Sequence, residues 1–105
     1  MAQYHAYENR NPASRRRYPY LLDIQSNLLG ELRTTVVVPL CPVGIAESLQ
    51  ISHLNPSIEI DDERYIALTQ ELAGMERKRL GKAVHDLGRY RDQIMAAVDF
   101  LVTGI

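Results

Sequence analysis

The stretch that most restricts the fold is Thr34 to Leu40, Thr-Thr-Val-Val-Val-Pro-Leu. Side chains branched at Cβ lose rotamer freedom in a helix but pack well on a pleated strand. A run that is nearly all apolar needs cover on both faces, so it predicts the central strand of a sheet. Pro39 cannot donate to a ladder and is expected to end that strand or to mark a bulge or an edge. With 105 residues the chain can bury one core and has no room for a second, so residues 1–105 are expected to form a single domain.

The neighbours of this strand are short. Gln3 to Tyr7 is rich in aromatics without a helical period and reads as a strand. Glu8 to Ser14, with its two Asn and a Pro, reads as a loop leading to Arg15-Arg16-Arg17. That trio is either a solvated flank or a contact for an acidic partner segment. Pro19 to Gln25 alternates, with Tyr20, Leu22 and Ile24 on one face and Leu21, Asp23 and Gln25 on the other, the period of a half-buried strand. The connection Ser26 to Leu32 carries two adjacent leucines, Leu28 and Leu29, that a plain surface turn does not need. Cys41 to Pro56 reads as irregular, with a short helical turn near Ile45 to Leu49. Ser57 to Ile60 and Tyr65 to Thr69 flank Asp61-Asp62-Glu63 as a hairpin with an acidic turn. Glu71 to Gly81 is ambiguous, its Glu76-Arg77-Lys78-Arg79 a charged loop or short turn, and Lys82 to Asp86 is a minor strand or turn.

Leu87 to Ile105 then changes period. Leu87, Tyr90, Ile94, Ala97, Val98 and Leu101 recur at three- and four-residue steps and predict one buried side of a helix, with Arg89, Asp92, Gln93 and Asp99 elsewhere. The ending, Val102-Thr103-Gly104-Ile105, is apolar where a docked helix usually trails polar residues, and it is expected to be presented to a partner. Several short strands followed by one helix give a small, mainly antiparallel β domain with a C-terminal helix packed on it.

A net charge of −1 gives no global pull toward nucleic acid or an anionic membrane. The N-terminal residues lack the pattern of a secretory signal, and no apolar run approaches the roughly 20 residues a bilayer requires, so a soluble cytoplasmic protein is expected. His5, His53 and His85 lie far apart and share no metal-ligand spacing, and the lone Cys41, after an apolar strand, reads as a small buried residue. Arg33 with Thr34 and Thr35 either serves phosphoryl chemistry or simply starts a strand. No catalytic residue, metal or cofactor is expected.

Set side by side, several blocks form a pattern: Asp23-Ile24-Gln25-Ser26, the strand closing on Val38-Pro39-Leu40, Leu54-Asn55-Pro56 before Ile58 to Ile60, Leu68-Thr69, and a helix ending in Gly104-Ile105. Together they resemble the CcdB toxin family of toxin–antitoxin modules over nearly the whole chain. The resemblance implies an SH3-like antiparallel β-barrel with a C-terminal α-helix, working as a homodimer. It implies the A subunit of DNA gyrase as target, trapped in its cleavage complex, with gyrase contacts at Leu28, Leu29, Asp99, Val102, Thr103, Gly104 and Ile105. A separate CcdA-like antitoxin would fold a disordered segment onto the toxin, with the Asn9-to-Tyr18 loop (Arg15, Arg16 and Arg17 above all) and Pro42 to Leu49 as docking surfaces. No sequence-specific nucleic-acid binding without antitoxin and no membrane contact are implied. Phe100, off the Ile94 stripe, is expected at or beside the two-fold interface. Thr103 stands where the best-known member has a tryptophan, Asp99 where it has an asparagine. MazF and Kid, ribonucleases of the same superfamily, supply the alternative, an endoribonuclease; a non-toxic antitoxin-binding relic is a third.

Overall fold

A computed structural model describes residues 2–46, 51 and 53–104 of the chain. Seven strands form one antiparallel sheet: β1 His5–Asn9, β2 Tyr20–Asp23, β3 Thr34–Pro42, β4 Ser57–Ile60, β5 Glu63–Ala67, β6 Ala73–Glu76 and β7 Leu80–Asp86. The order is β4-β5-β3-β2-β1-β7, with β6 also on β3. The sheet curls into a half-barrel, and the C-terminal helix α2, Arg91–Thr103, packs on it. The short helix α1, Val43–Ala46, follows β3 directly. The expected helical turn at Ile45 to Leu49 therefore starts earlier, and its residues 47–49 lie outside those described.

β3 is central, as its composition predicts. β2 pairs with Val37 to Leu40 on one side; on the other, β6 pairs with Thr34 to Val37 and β5 with Leu40 to Pro42. Pro39 neither ends the strand nor marks an edge, and the reason lies in the ladder. Ile24 N–H donates to the Val36 carbonyl at 3.0 Å, so the backbone groups of Val36, Val38 and Leu40 face β2. The alternate residues, Pro39 among them, face the side where β6 hands over to β5. No ladder donor is required at that handover, and the Pro39 carbonyl accepts from Leu68 N–H at 3.0 Å. A proline thus stands inside the central strand at no cost in hydrogen bonds.

Both faces of β3 are covered. Val38 and Leu40 join Ala6, Leu22, Ile58, Tyr65 and Ile94 in the main cluster; Val37 joins Tyr7, Leu21 and Leu80, and Cys41 joins Ala46, Ile66 and Leu68. This corrects the half-buried reading of β2, because Leu21 and Asp23 are buried beside Leu22. Asp23 is 1% exposed, and its Oδ1 accepts from the Thr35 hydroxyl at 2.8 Å and from Gln25 N–H at 3.1 Å. A buried carboxylate without such donors would be strongly destabilising.

The two rims of the half-barrel, β4 and β7, meet through side chains. After β7, Leu87 drops into the main cluster and Gly88–Tyr90 forms a 3-10 turn across the gap. Tyr90 Oη accepts from Glu59 N–H of β4 at 3.1 Å, and Arg89 Nη2 donates to the Glu59 carbonyl at 3.3 Å. These bonds occupy outward backbone groups of a rim strand that would otherwise template pairing with another chain. The Glu59 N–H, which stabilises the phenolate, lowers the Tyr90 pKa. A second tie runs from His85 Nε2 of β7 to Asp61 Oδ2 at 3.6 Å. Asp61 and Asp62 both have positive φ, as a tight two-residue hairpin turn requires.

Other boundaries move. β1 runs His5–Asn9 rather than from Gln3, β6 emerges from the ambiguous stretch, and the expected minor strand at Lys82 begins at Leu80 and pairs with β1 through register shifts. The α-helix starts at Arg91, not Leu87. Ile94 and Ala97 are buried and Val98 is half-buried, but Leu101, expected on the same buried side, is 38% exposed.

Tyr65 lies in the main cluster, its ring edge-on to Tyr20 at 5.4 Å. Burial first, then the nearby Glu63 carboxylate and Tyr20, push its pKa up to about 12. An unfolded tyrosine ionises near 10. The folded state therefore holds its proton more tightly, and this contribution to stability is present below about pH 10 and lost toward pH 12. Tyr65→Phe is expected to flatten the alkaline limb of a denaturant-midpoint-versus-pH curve; an unchanged limb would place the sensitivity elsewhere.

Candidate functional site

Three surfaces carry the residues singled out in the sequence. The first is the connection between β2 and β3. Ser26 Oγ accepts from Leu28 N–H at 3.1 Å and caps a 3-10 turn, Asn27–Leu29. The turn buries none of its three residues: Leu28 is 95% exposed, and Leu29 and, beyond the turn, Leu32 are also exposed. Isolated surface leucines are ordinary, but three within five residues on an ordered turn form an apolar display. Gln3 N–H donates to Asn27 Oδ1 at 2.8 Å and fixes the base of the turn.

The second surface is the end of α2. Its last turn is closed by its own groups: Thr103 Oγ1 donates to the Asp99 carbonyl at 2.7 Å, and Gly104 N–H to the Phe100 carbonyl at 2.8 Å. Gly104 has φ +75, the left-handed cap that glycine adopts without steric cost. Val102 is 76% exposed, and Asp99, Thr103 and Gly104 are exposed as well. Ile105 lies outside the described residues. Phe100 is half-buried on a different side of the helix; its ring meets His53 at 6.4 Å, and with Pro56, Gln93 and Ala96 the two line a groove of about 490 Å³.

The third surface is the loop from Arg10 to Pro19. Asn9, just before it, organises the loop from a buried position. Its Nδ2 donates to Ser14 Oγ at 3.1 Å and to the Tyr18 carbonyl at 2.8 Å, while its Oδ1 accepts from Asn11 N–H. The three arginines are not equivalent. Arg17 Nε donates to Tyr18 Oη at 3.0 Å, and that hydroxyl donates to Glu71 Oε1 at 2.9 Å. Burial and the Glu71 hydrogen bond raise the Tyr18 pKa. Arg15 and Arg16 stand exposed, and Arg15 flanks a polar groove with Arg10 and Tyr20. Beside it an apolar groove of about 200 Å³ is floored by Leu21, Val37, Pro39 and Met75.

The structure does not merge the leucine turn and the helix end into one bonded site. The turn is held by Gln3 and by Arg77, whereas α2 packs on the Thr69–Glu71 turn and on Gly88–Tyr90. Arg77 was read only as part of a charged segment. Its Nε donates to the Leu32 carbonyl at 2.7 Å and its Nη2 to the Leu29 carbonyl at 3.0 Å, pairings that span 45 and 48 residues and leave no periodic trace in the sequence. Among the described residues no three His, Cys, Asp or Glu side chains gather as metal ligands, and no helix is long and apolar enough to cross a membrane.

The blocks that carry the resemblance now have structural work. Asp23 is the buried carboxylate tied to β3, and Asn55 is likewise buried, its Nδ2 donating to the Ala67 carbonyl at 3.0 Å and its Oδ1 accepting from Ile51 N–H at 2.7 Å. Comparison with protein families gives a match to the model described as CcdB protein over residues 3–104, nearly the full chain. With that match, a mainly antiparallel half-barrel and a C-terminal helix with a glycine cap, the chain belongs to the CcdB family, a family of toxins from toxin–antitoxin modules.

Proposed function

We propose that this protein is the toxin of a type II toxin–antitoxin module, that it binds the A subunit of DNA gyrase and traps the cleavage complex, and that a CcdA-like antitoxin neutralises it. The observation that supports this most is the end of α2. An exposed Val102 and a glycine-capped turn extend past the last buried residue of the helix, which leaves apolar atoms for another protein to cover. Asp99, Val102, Thr103, Gly104 and Ile105 form this contact in the proposal, with Leu28 and Leu29 as a second, separate one. The protein acts by binding rather than by catalysis, so its effect depends on surface fit and not on a reactive group.

The homodimer belongs to the same proposal. Phe100 is half-buried by its own chain, and a second copy across the helix would complete the burial of both rings. Phe100→Ala is expected to weaken self-association by about 2–4 kcal/mol, read by sedimentation equilibrium. An unchanged monomer–dimer equilibrium would move the interface elsewhere.

Deleting Thr103 to Ile105 is the direct test of the target contact. The thermal midpoint and antitoxin binding are expected to stay nearly intact, because the anchors Ile94 and Ala97 lie earlier in the helix. Inhibition of gyrase supercoiling and growth arrest are expected to disappear. A truncated protein that still poisons gyrase would reject the site, and RNA cleavage by the intact protein with no effect on supercoiling would replace the reading with a ribonuclease.

Arg15, Arg16 and Arg17 are assigned to the antitoxin. Reversing their charge to Glu is expected to slow antitoxin association and flatten its dependence on salt, with toxicity in the absence of antitoxin preserved. Association rates indistinguishable from wild type at low salt would return the trio to a solvated flank.

A further inference from the structure

The leucine turn is short, exposed and apolar, three properties that ordinarily let a loop collapse onto the nearest covered surface. It keeps Leu28 outward because its backbone is held on two sides. At the base, Gln3 holds Asn27, and Gln25 Nε2 donates to the Thr34 carbonyl at 3.2 Å. On the far side Arg77, from the 3-10 turn after β6, bonds three backbone carbonyls. Arg77 N–H donates to the Arg33 carbonyl at 3.0 Å, its Nε to Leu32 and its Nη2 to Leu29. The planar guanidinium fork bridges two carbonyls of the same turn, which fixes their separation and orientation together; an ammonium is a point donor and cannot set both. The cations beside it are engaged differently. Arg33, Lys78 and Arg79 all approach the Glu76 carboxylate, at 3.0, 3.8 and 3.3 Å. Arg33 and Arg79 are mostly exposed there, and ion pairs of that kind contribute little.

We infer that Arg77 is a positioning residue: it clamps the turn in the shape that presents Leu28, and so sets affinity for the target through the turn rather than by its own charge. This rests on the reading of Leu28 and Leu29 as a gyrase contact. Without the clamp the turn samples other shapes, and apparent affinity falls in proportion to the fraction still competent; a turn correct about one-tenth of the time binds about tenfold more weakly.

The test compares Arg77→Gln and Arg77→Lys with Arg79→Gln, which removes the same charge two residues away, at a side chain that pairs with the Glu76 carboxylate. Amide hydrogen exchange over Leu28 to Leu32 reads the clamp, and binding to purified gyrase A subunit reads its consequence. Arg77→Gln is expected to raise exchange across the turn and weaken binding about tenfold, mainly in the association rate. Arg77→Lys should fall near Arg77→Gln although it keeps the charge, and Arg79→Gln should stay within about twofold of wild type. Unchanged exchange in Arg77→Gln, equal effects of Arg77→Gln and Arg79→Gln, or a loosened turn with full affinity would each overturn the inference. Leu28→Ala, measured alongside, judges the underlying reading by itself. If it leaves gyrase binding untouched, the turn is not the contact and the inference about affinity falls with it, whereas the exchange data still decide whether Arg77 orders the turn.

Discussion

Pairing β3 along both edges while burying it on both faces leaves this strand no freedom of register. A slip of one residue would exchange Val38 and Leu40 with Val37 and Cys41, and would pull Thr35 away from Asp23. It would also move Pro39 off the handover between β6 and β5, the one position on that side where a missing N–H costs nothing. The proline, the threonine–aspartate bond and the alternation of apolar side chains therefore select the same alignment. Agreement among such independent constraints is what gives a small domain a unique fold.

A half-barrel held this firmly at its centre still has two rims. Here the rims are joined by the polypeptide that leads into α2 rather than by a further ladder. Leu87 enters the main cluster, Tyr90 and Arg89 occupy the backbone of Glu59, and Ile94 covers the core from above. The helix is thus a structural closure over its first half. Burial of a side chain such as Ile94 contributes about 1.5–3 kcal/mol toward holding the helix on the sheet.

Much of this was legible in the sequence. The β-branched run located β3, alternation located β2, and the acidic Asp61-Asp62-Glu63 stretch located the hairpin of β4 and β5. What escaped has a common physical origin. Periodicity places Leu101 on the core side because it reports which side of a helix a residue occupies, not how much of that side the rest of the fold covers. Pro39 was misjudged because propensity treats a strand as having one partner per side, and β3 has two along the same edge. Arg77 and Asn9 were passed over because their hydrogen bonds go to backbone carbonyls and to a loop hydroxyl, groups that carry no residue-type signature in the partner segment. The half-buried reading of β2 failed at Leu21 and Asp23, where the outer face of the sheet is itself covered.

The division of α2 explains how one helix both covers the core and carries exposed apolar side chains near its end. Ile94 and Ala97 are the buried residues of the helix, and both lie in its first two turns. From Asp99 onward the helix has no fully buried residue among those described, and the Thr103 hydroxyl and the Gly104 N–H satisfy the Asp99 and Phe100 carbonyls of its last turn. Surface substitutions away from packed groups usually change stability by less than about 0.5 kcal/mol. Val102 and Thr103 can therefore vary with little effect on the half-barrel. Such latitude holds only for positions that bury nothing. It ends at Ala97, whose side chain has no exposed surface and where any larger residue would have to displace the core.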